Sequence, residues 1–342
     1  MGVNFRELFD RKEIKLTSLS GKTIIIDGYN ILYQFLTTIR TPDGALLTDS
    51  KGNITSHLIG LFSRTSKFIQ TGLKIVYVFD GKVPDLKYSE LKKRKEAKIE
   101  AQKKFEVAKE EEDIEGMKKY AARTTRLTKD MVNEAKKLLT LMGVPWVQAP
   151  SEGEPQASYM VAKGDGWAVS SQDYDSLLYK TPRLIQNLSI AGRRKKLKAL
   201  GTITVQPELI ELKPNLEKLG ITQDQLIILA ILVGTDYNPG GVKGLGPKKA
   251  LKLVKENKNF EKVSELANWS EHCTTHWKTI YDLIKNMPVE QNYKLNFEKP
   301  QKEELIKFLV EEHDFNMERV KNTINDLVKE GEKKKQKSLG DF

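Results

Sequence analysis

Cysteine is almost missing from this chain, with Cys273 the single instance in 342 residues. One thiol cannot build a disulfide framework, and a reducing, intracellular setting fits. Histidine is nearly as scarce, with four copies. The group His272, Cys273 and His276 lacks a fourth ligand at zinc spacing, so these read as surface residues. No stretch approaches the roughly 20 apolar residues of a membrane span. The opening segment MGVNFRELFDRKEIK carries charge where a signal peptide needs an apolar run. Membrane and secretory roles are therefore not expected, and the glycosylation patterns at Asn53 and Asn268 would go unused. No internal repeat of solenoid period is present.

What the chain has is charge. Lys and Arg number 57 against 46 Asp and Glu, a net charge of +11, which points to a polyanionic partner. The 39% hydrophobic fraction is enough to fill a core. Three short apolar runs end in aspartate: Thr23 to Asp27, Ile75 to Asp80 and Trp167 to Asp173. Alternating with helical spacings at His57 to Gln70 and Lys129 to Leu141, they predict an α/β fold with a mostly parallel central sheet flanked by helices. Lys87 to Arg126 is crowded with charge and poor in apolar residues, which predicts helix that leaves the sheet as an excursion. Downstream, ITQDQLIILAILVG reads as a buried helix. A glycine-rich turn from Gly240 to Pro247 and a helix from Lys248 to Glu256 follow it. Glu330 to Lys337 reads as a charged, disordered tail.

The acids carry the chemistry. Ligands of open parallel sheets bind beyond the carboxyl ends of the strands, where Asp27, Asp80 and Asp173 fall. Asp175 lies two residues beyond Asp173, on the same side if that segment is extended. Glu152 and Glu154 form a second pair at a helix start. Any one of these acids alone is more often a turn residue, and Ser151-x-x-Glu154 also fits a capping box. Together they make a set of hard oxygen ligands suited to Mg²⁺ or Mn²⁺.

The segments IIIDGYNILYQFL, YVFDGKVPDLK, APSEGEPQASYM, SSQDYDSLLY and GTDYNPGGVKGLGPKKA occur in the order, and at separations similar to those, of the flap endonuclease family. The chain resembles that family, in its archaeal type, along nearly its whole length. The resemblance implies a PIN-like five-prime nuclease fold in which Asp27, Asp80, Glu152, Glu154, Asp173, Asp175 and Asp236 bind two Mg²⁺ ions, with Mn²⁺ able to substitute. Two such ions, about 3.5–4 Å apart, clamp the attacking and leaving oxygens of a phosphodiester. Pro155 and Val83 depart from the family pattern without removing a ligand, and Pro155 predicts a helix start slightly later than the capping box.

By the same resemblance the charged excursion is a helical arch for the flap strand, and Lys87 and Arg94 are cations that touch the scissile phosphate. Tyr33 matches an aromatic that stacks on a base, and Thr55 and Arg64 match residues of a three-prime-flap pocket. The turn carrying Gly241, Lys243, Gly244, Gly246 and Lys248 is helix-hairpin-helix-like. Its glycines and helix start suit duplex phosphate, and K⁺ is a candidate there. Gln336, Leu339 and Phe342 resemble a motif that docks on a sliding clamp of the proliferating cell nuclear antigen type. The expected organisation is one nuclease domain over 1–330, with the arch at 87–130 and the hairpin at 234–256, and a flexible clamp-binding tail at 331–342. The substrates implied are flap and nicked duplex DNA. A related five-prime exonuclease and a catalytically inactive junction binder are the alternatives; the inactive binder would have lost some of the seven acids.

Overall fold

The computed structural model describes residues 3–111, 113–195 and 202–340, with backbone alone for 330–340. Its centre is a seven-stranded sheet in the order β1-β9-β6-β5-β2-β3-β4. The strands are β1 (Lys12–Glu13), β2 (Thr23–Asp27), β3 (Lys74–Phe79), β4 (Trp146–Gln148), β5 (Ala168–Ser170), β6 (Arg183–Gln186) and β9 (Glu208–Glu211). A separate antiparallel pair is formed by β7 (Gly192–Lys195) and β8 (Thr202–Val205). Strands β4, β3, β2, β5 and β6 run parallel, and β9 and β1 close one edge antiparallel.

The isoleucine run of β2 explains the layering. Successive strand residues face opposite sides, yet Ile24, Ile25 and Ile26 are all buried. Both faces must therefore be covered. Ile25 joins Val76, Val78 and Val169 in one core, while Ile24 and Ile26 join Ile75, Tyr77 and Phe79 in the other. Each buried aliphatic side chain contributes about 1.5–3 kcal/mol. The first core is completed by α6 (Gly153–Lys163), α7 (Leu212–Leu219), α8 (Gln223–Val233), α9 (Pro247–Glu256), the short α10 (Phe260–Leu266) and α11 (Trp269–His272), and α12 (Trp277–Lys285). The second holds α1 (Gly28–Thr38), α2 (Ser56–Gln70), α5 (Lys129–Leu141), α13 (Lys302–Ile306) and α14 (Met317–Gly340). Helix α8 is apolar all round because it is buried all round, and Thr222 and Gln225 close a capping box at its start.

The charged excursion is a helical hairpin, α3 (Tyr88–Glu110) and α4 (Ile114–Thr124). Among its described residues Ala101, Ala108, Gly116 and Ala121 are buried, small residues that let the two helices approach. The remainder of α3 is ionic and bridges solvent, as its composition predicts.

Two local expectations change. Strand β5 stops at Ser170, so Asp173 and Asp175 do not share an extended segment; the Ser171 hydroxyl accepts from the Asp173 N–H, and Asp175 opens a 3₁₀ turn, Asp175–Tyr179. The backbone that reads as a disordered tail continues α14 to Gly340, where closely spaced Glu and Lys support helix. The clamp-motif side chains of Gln336 and Leu339, and all of Phe342, lie outside the described residues.

Where α2 crosses α1, a Cβ added at Gly60 would sit 2.3 Å from the Phe35 ring. Helix propensity favours alanine by at most about 1 kcal/mol, whereas overpacking a core costs about 1–3 kcal/mol. Gly60→Ala should therefore lower the urea unfolding midpoint. A raised midpoint would show that the two helices separate freely.

Candidate active site at the carboxyl edge of the sheet

Parallel pairing of β2 with β3 and β5 brings the carboxyl ends of these strands side by side. Asp27 ends β2 and Asp80 follows β3 directly, so both emerge at this edge. Asp27 caps α1, its Oδ1 accepting from the Asn30 N–H at 3.0 Å, while its Oδ2 accepts from the Ser171 hydroxyl at 3.3 Å. The Asn30 side-chain amide donates to Asp173 at 3.0 Å, so one residue, through its backbone and its side chain, links two acids of separate segments. Asp80 accepts from the Gly153 N–H at 2.7 Å, at the start of α6. That helix begins with Glu152 as its N-cap, one residue later than the Ser151 capping box and in line with Pro155; Ser151 instead donates to the Lys82 carbonyl. Asp175 accepts from the Val3 N–H at 2.8 Å, which brings the amino-terminal segment to the edge.

The acids strain against one another. Burial, then Asp80, pushes Asp27 up to about 7. Burial raises Asp80 to about 6, with Glu152 adding to the rise against the pull of Lys87. Burial and Asp173 raise Asp175 to about 7, and burial with Asp27, Asp80 and Glu152 holds Glu154 well above the usual carboxylate range. Asp173 is raised as well, first by burial. Asp236 is the exception. Burial opposes its ionisation, but Lys87 and Arg94 outweigh it and hold the carboxyl below its ordinary value.

Lys87 and Arg94 reach in from the base of the arch. The Lys87 ammonium bridges Glu152 and Asp236, the latter at 3.1 Å. The Arg94 guanidinium donates to Asp236 at 2.6 Å and to Glu90 at 2.9 Å. Both acid partners of Lys87 raise its pKa against the cost of burial. The acids surround these two cations without closing a metal cage: among the described residues no three His, Cys, Asp or Glu are arranged to hold an ion.

Two tyrosines that the sequence did not single out complete the edge. The Tyr237 hydroxyl donates to Glu152, and Tyr179 lies 2.9 Å from the Tyr237 oxygen. Burial pushes both phenols well above their ordinary range, so they remain O–H donors. The only sequence signal for Tyr237 was its place beside Asp236.

The residues matched to DNA contacts are dispersed around this edge. The Tyr33 hydroxyl donates to the Thr125 carbonyl at 2.9 Å, and the Lys98 ammonium lies 4.8 Å from its ring centre, so this aromatic ties α1 to the returning end of the arch. Thr55 is only 3% exposed and turns its side chain into the protein. Arg64 donates to the Ala191 carbonyl at 3.1 Å. In the glycine turn, Gly241 has φ +52° and a Cβ there would lie 2.4 Å from the Leu232 carbonyl; Gly244 has φ +82°. Lys243, Gly244, Gly246 and Lys248 are exposed. Gly246 caps α9 without a side chain, so the first N–H groups of that helix face outward, the arrangement that binds phosphate.

Comparison with known proteins agrees with this geometry. Residues 5–101 match the XPG N-terminal domain and residues 143–236 the XPG I-region. Flap endonuclease 1 of Staphylothermus marinus is 53% identical over 334 residues, covering 96% of this chain and 95% of that protein. The structure of flap endonuclease-1 from Methanococcus jannaschii superposes with a TM-score of 0.76 at 44% identity, covering 97% of this chain and all of that one. The catalytic core of Rad2, solved in complex with DNA substrate, shares the fold at 21% identity and a TM-score of 0.69, with 96% of this chain and 100% of that one covered. With half of its residues identical across nearly the full length of both chains, this protein belongs to the flap endonuclease family, in its archaeal type.

Proposed function

We propose that this chain cuts five-prime flaps at their junction with duplex DNA, as an intracellular enzyme of replication and repair, and that divalent ions, Mg²⁺ above all, serve the seven-carboxylate edge. The observation that carries the reading is that edge itself: seven acids brought together by strands, turns and a helix start, buried or partly buried, with Lys87 and Arg94 among them. The donor set fits the ion. All seven donors are carboxylate oxygens without histidine or cysteine, which suits a hard cation. The rise of Asp27, Asp80, Glu154, Asp173 and Asp175 with burial and with neighbouring acids marks a negative charge that bound cations would relieve. Bound divalent ions supply an activated water and neutralise the charge that develops on the phosphate.

The chain's own groups do the rest. Asn30, Ser171, Gly153 and Val3 hold the carboxylates in place by the hydrogen bonds above. Lys87 and Arg94 are cationic donors: they are paired with acids now, and a phosphate at the edge competes for the same N–H groups. The planar Arg94 fork matches phosphate oxygens. The exposed N–H groups of α9 and the glycine turn supply a sequence-independent grip on duplex backbone, with K⁺ a candidate ion there. An inactive junction binder is disfavoured because all seven acids are present.

Three outcomes follow. Asp173→Ala, or chelation of the wild type, should abolish cleavage of a flap while flap binding by anisotropy persists; normal turnover of the variant in Mg²⁺ would remove Asp173 from the site. Arg94→Ala should lower single-turnover cleavage about 10²–10³-fold, the loss typical of one positioned donor to developing charge, with DNA affinity changed far less. An unchanged rate at saturation with collapsed affinity would make Arg94 a binding residue only.

The third concerns the clamp. Val320, Ile324 and Leu327 are 1–3% exposed and fasten the early turns of α14 to the core, and the segment with Gln336, Leu339 and Phe342 follows them in sequence. Deleting 336–342 should leave clamp-independent cutting unchanged and remove stimulation by a ring-shaped clamp. Equal clamp affinity by calorimetry for the full-length and truncated proteins would put the docking surface elsewhere.

A further inference from the structure

We propose that Tyr237, backed by Tyr179, is a positioning residue that fixes the Glu152 carboxylate for metal. The inference rests on the metal-dependent reading above and assigns a role to two side chains outside the seven acids.

Direction comes from the hydrogen bonds themselves. Glu152 Oε2 accepts from the Tyr237 hydroxyl. A phenol has one hydrogen, so Tyr237 has none left for Tyr179, and over the 2.9 Å between the two oxygens Tyr179 must be the donor. The relay runs Tyr179 to Tyr237 to Glu152. It takes one acceptor site of Oε2 and so fixes the carboxylate plane, with Oε1 turned toward Lys87.

The relay also spans the site. Tyr179 closes the 3₁₀ turn that Asp175 opens, Tyr237 follows Asp236, and Glu152 caps α6. Two phenols thereby link three segments that carry acids. Each segment is held locally as well. Thr235 donates to Asn238 Oδ1 at 2.6 Å and accepts from the Tyr237 N–H at 3.1 Å, and the Asn238 amide donates to the Ile231 carbonyl at 2.7 Å. Tyr237 is 6% exposed, so water cannot easily replace its hydroxyl. A carboxylate held this way enters metal binding with its rotamer already chosen; without the phenol it must be ordered when the ion arrives. Outer partners of metal ligands are worth about 10–100-fold in metal affinity or activity.

The test is calorimetric titration of the full chain with Mn²⁺, without DNA, for wild type, Tyr237→Phe and Tyr179→Phe. Phenylalanine keeps the ring and removes only the hydroxyl. Tyr237→Phe should weaken Mn²⁺ binding about 10–100-fold and Tyr179→Phe by less, with flap binding in chelator unchanged for both. Single-turnover cleavage by Tyr237→Phe should fall at low Mg²⁺ and recover as Mg²⁺ is raised, a recovery that a general loss of structure would not allow. Equal Mn²⁺ affinity for wild type and Tyr237→Phe overturns the proposal, as does a rate deficit that added metal leaves untouched. If the wild type fails to cut flaps, the activity reading falls, and the Mn²⁺ titrations still decide the role of Tyr237.

Discussion

Repulsion between carboxylates at the end of a parallel sheet is the constraint around which this molecule is arranged. Parallel pairing requires crossover helices, crossover helices cover both faces, and what remains open is the edge where strands stop. Asp27 and Asp80 are delivered there by strand direction, and Glu152, Asp173, Asp175 and Asp236 by the turns that follow. Burial then makes each charge expensive. The structure answers with fixed donors: the N–H groups of Asn30, Gly153 and Val3, two hydroxyls, and two cations from the arch.

The arch cations connect binding with chemistry. Lys87 and Arg94 stand at the foot of a helical hairpin that has little apolar surface of its own, so the hairpin is held to the body largely through polar links: Lys87 and Arg94 to the acids, and Tyr33 to Thr125. Such links are individually modest and exchangeable. These pairs join the foot of the hairpin to the carboxylate edge, so in the proposed function a phosphate backbone would compete for the cations of the same pairs.

Much of this was legible in the chain. Strand β2 is a run of β-branched residues ending in Asp27, and its burial on both faces leaves no periodicity to misread. The arch announced itself by charge, α8 by its apolar run, and the glycine turn by residues that tolerate positive φ. These are local properties, set by side-chain chemistry over a few neighbours. Asp27, Asp80 and the Glu152–Glu154 pair were identifiable from their places at strand and helix ends, whereas Asp236 was read only from the family resemblance.

What only the tertiary structure decided is long-range. No local rule brings the Asn30 side-chain amide to Asp173, sends the Val3 N–H to Asp175 across the molecule, or sets Tyr179 against Tyr237 and Glu152. Thr55 is polar and reads as available, yet packing buries it; β5 ends early because Ser171 captures the following N–H. The sequence by itself determined which groups carry charge and which segments form helix or strand, since those depend on neighbours in the chain. Which carboxylate faces which donor depends on crossover geometry and on the competition of burial, repulsion and hydrogen bonding between residues as far apart in the chain as Val3 and Asp175, and that is settled only when the sheet closes.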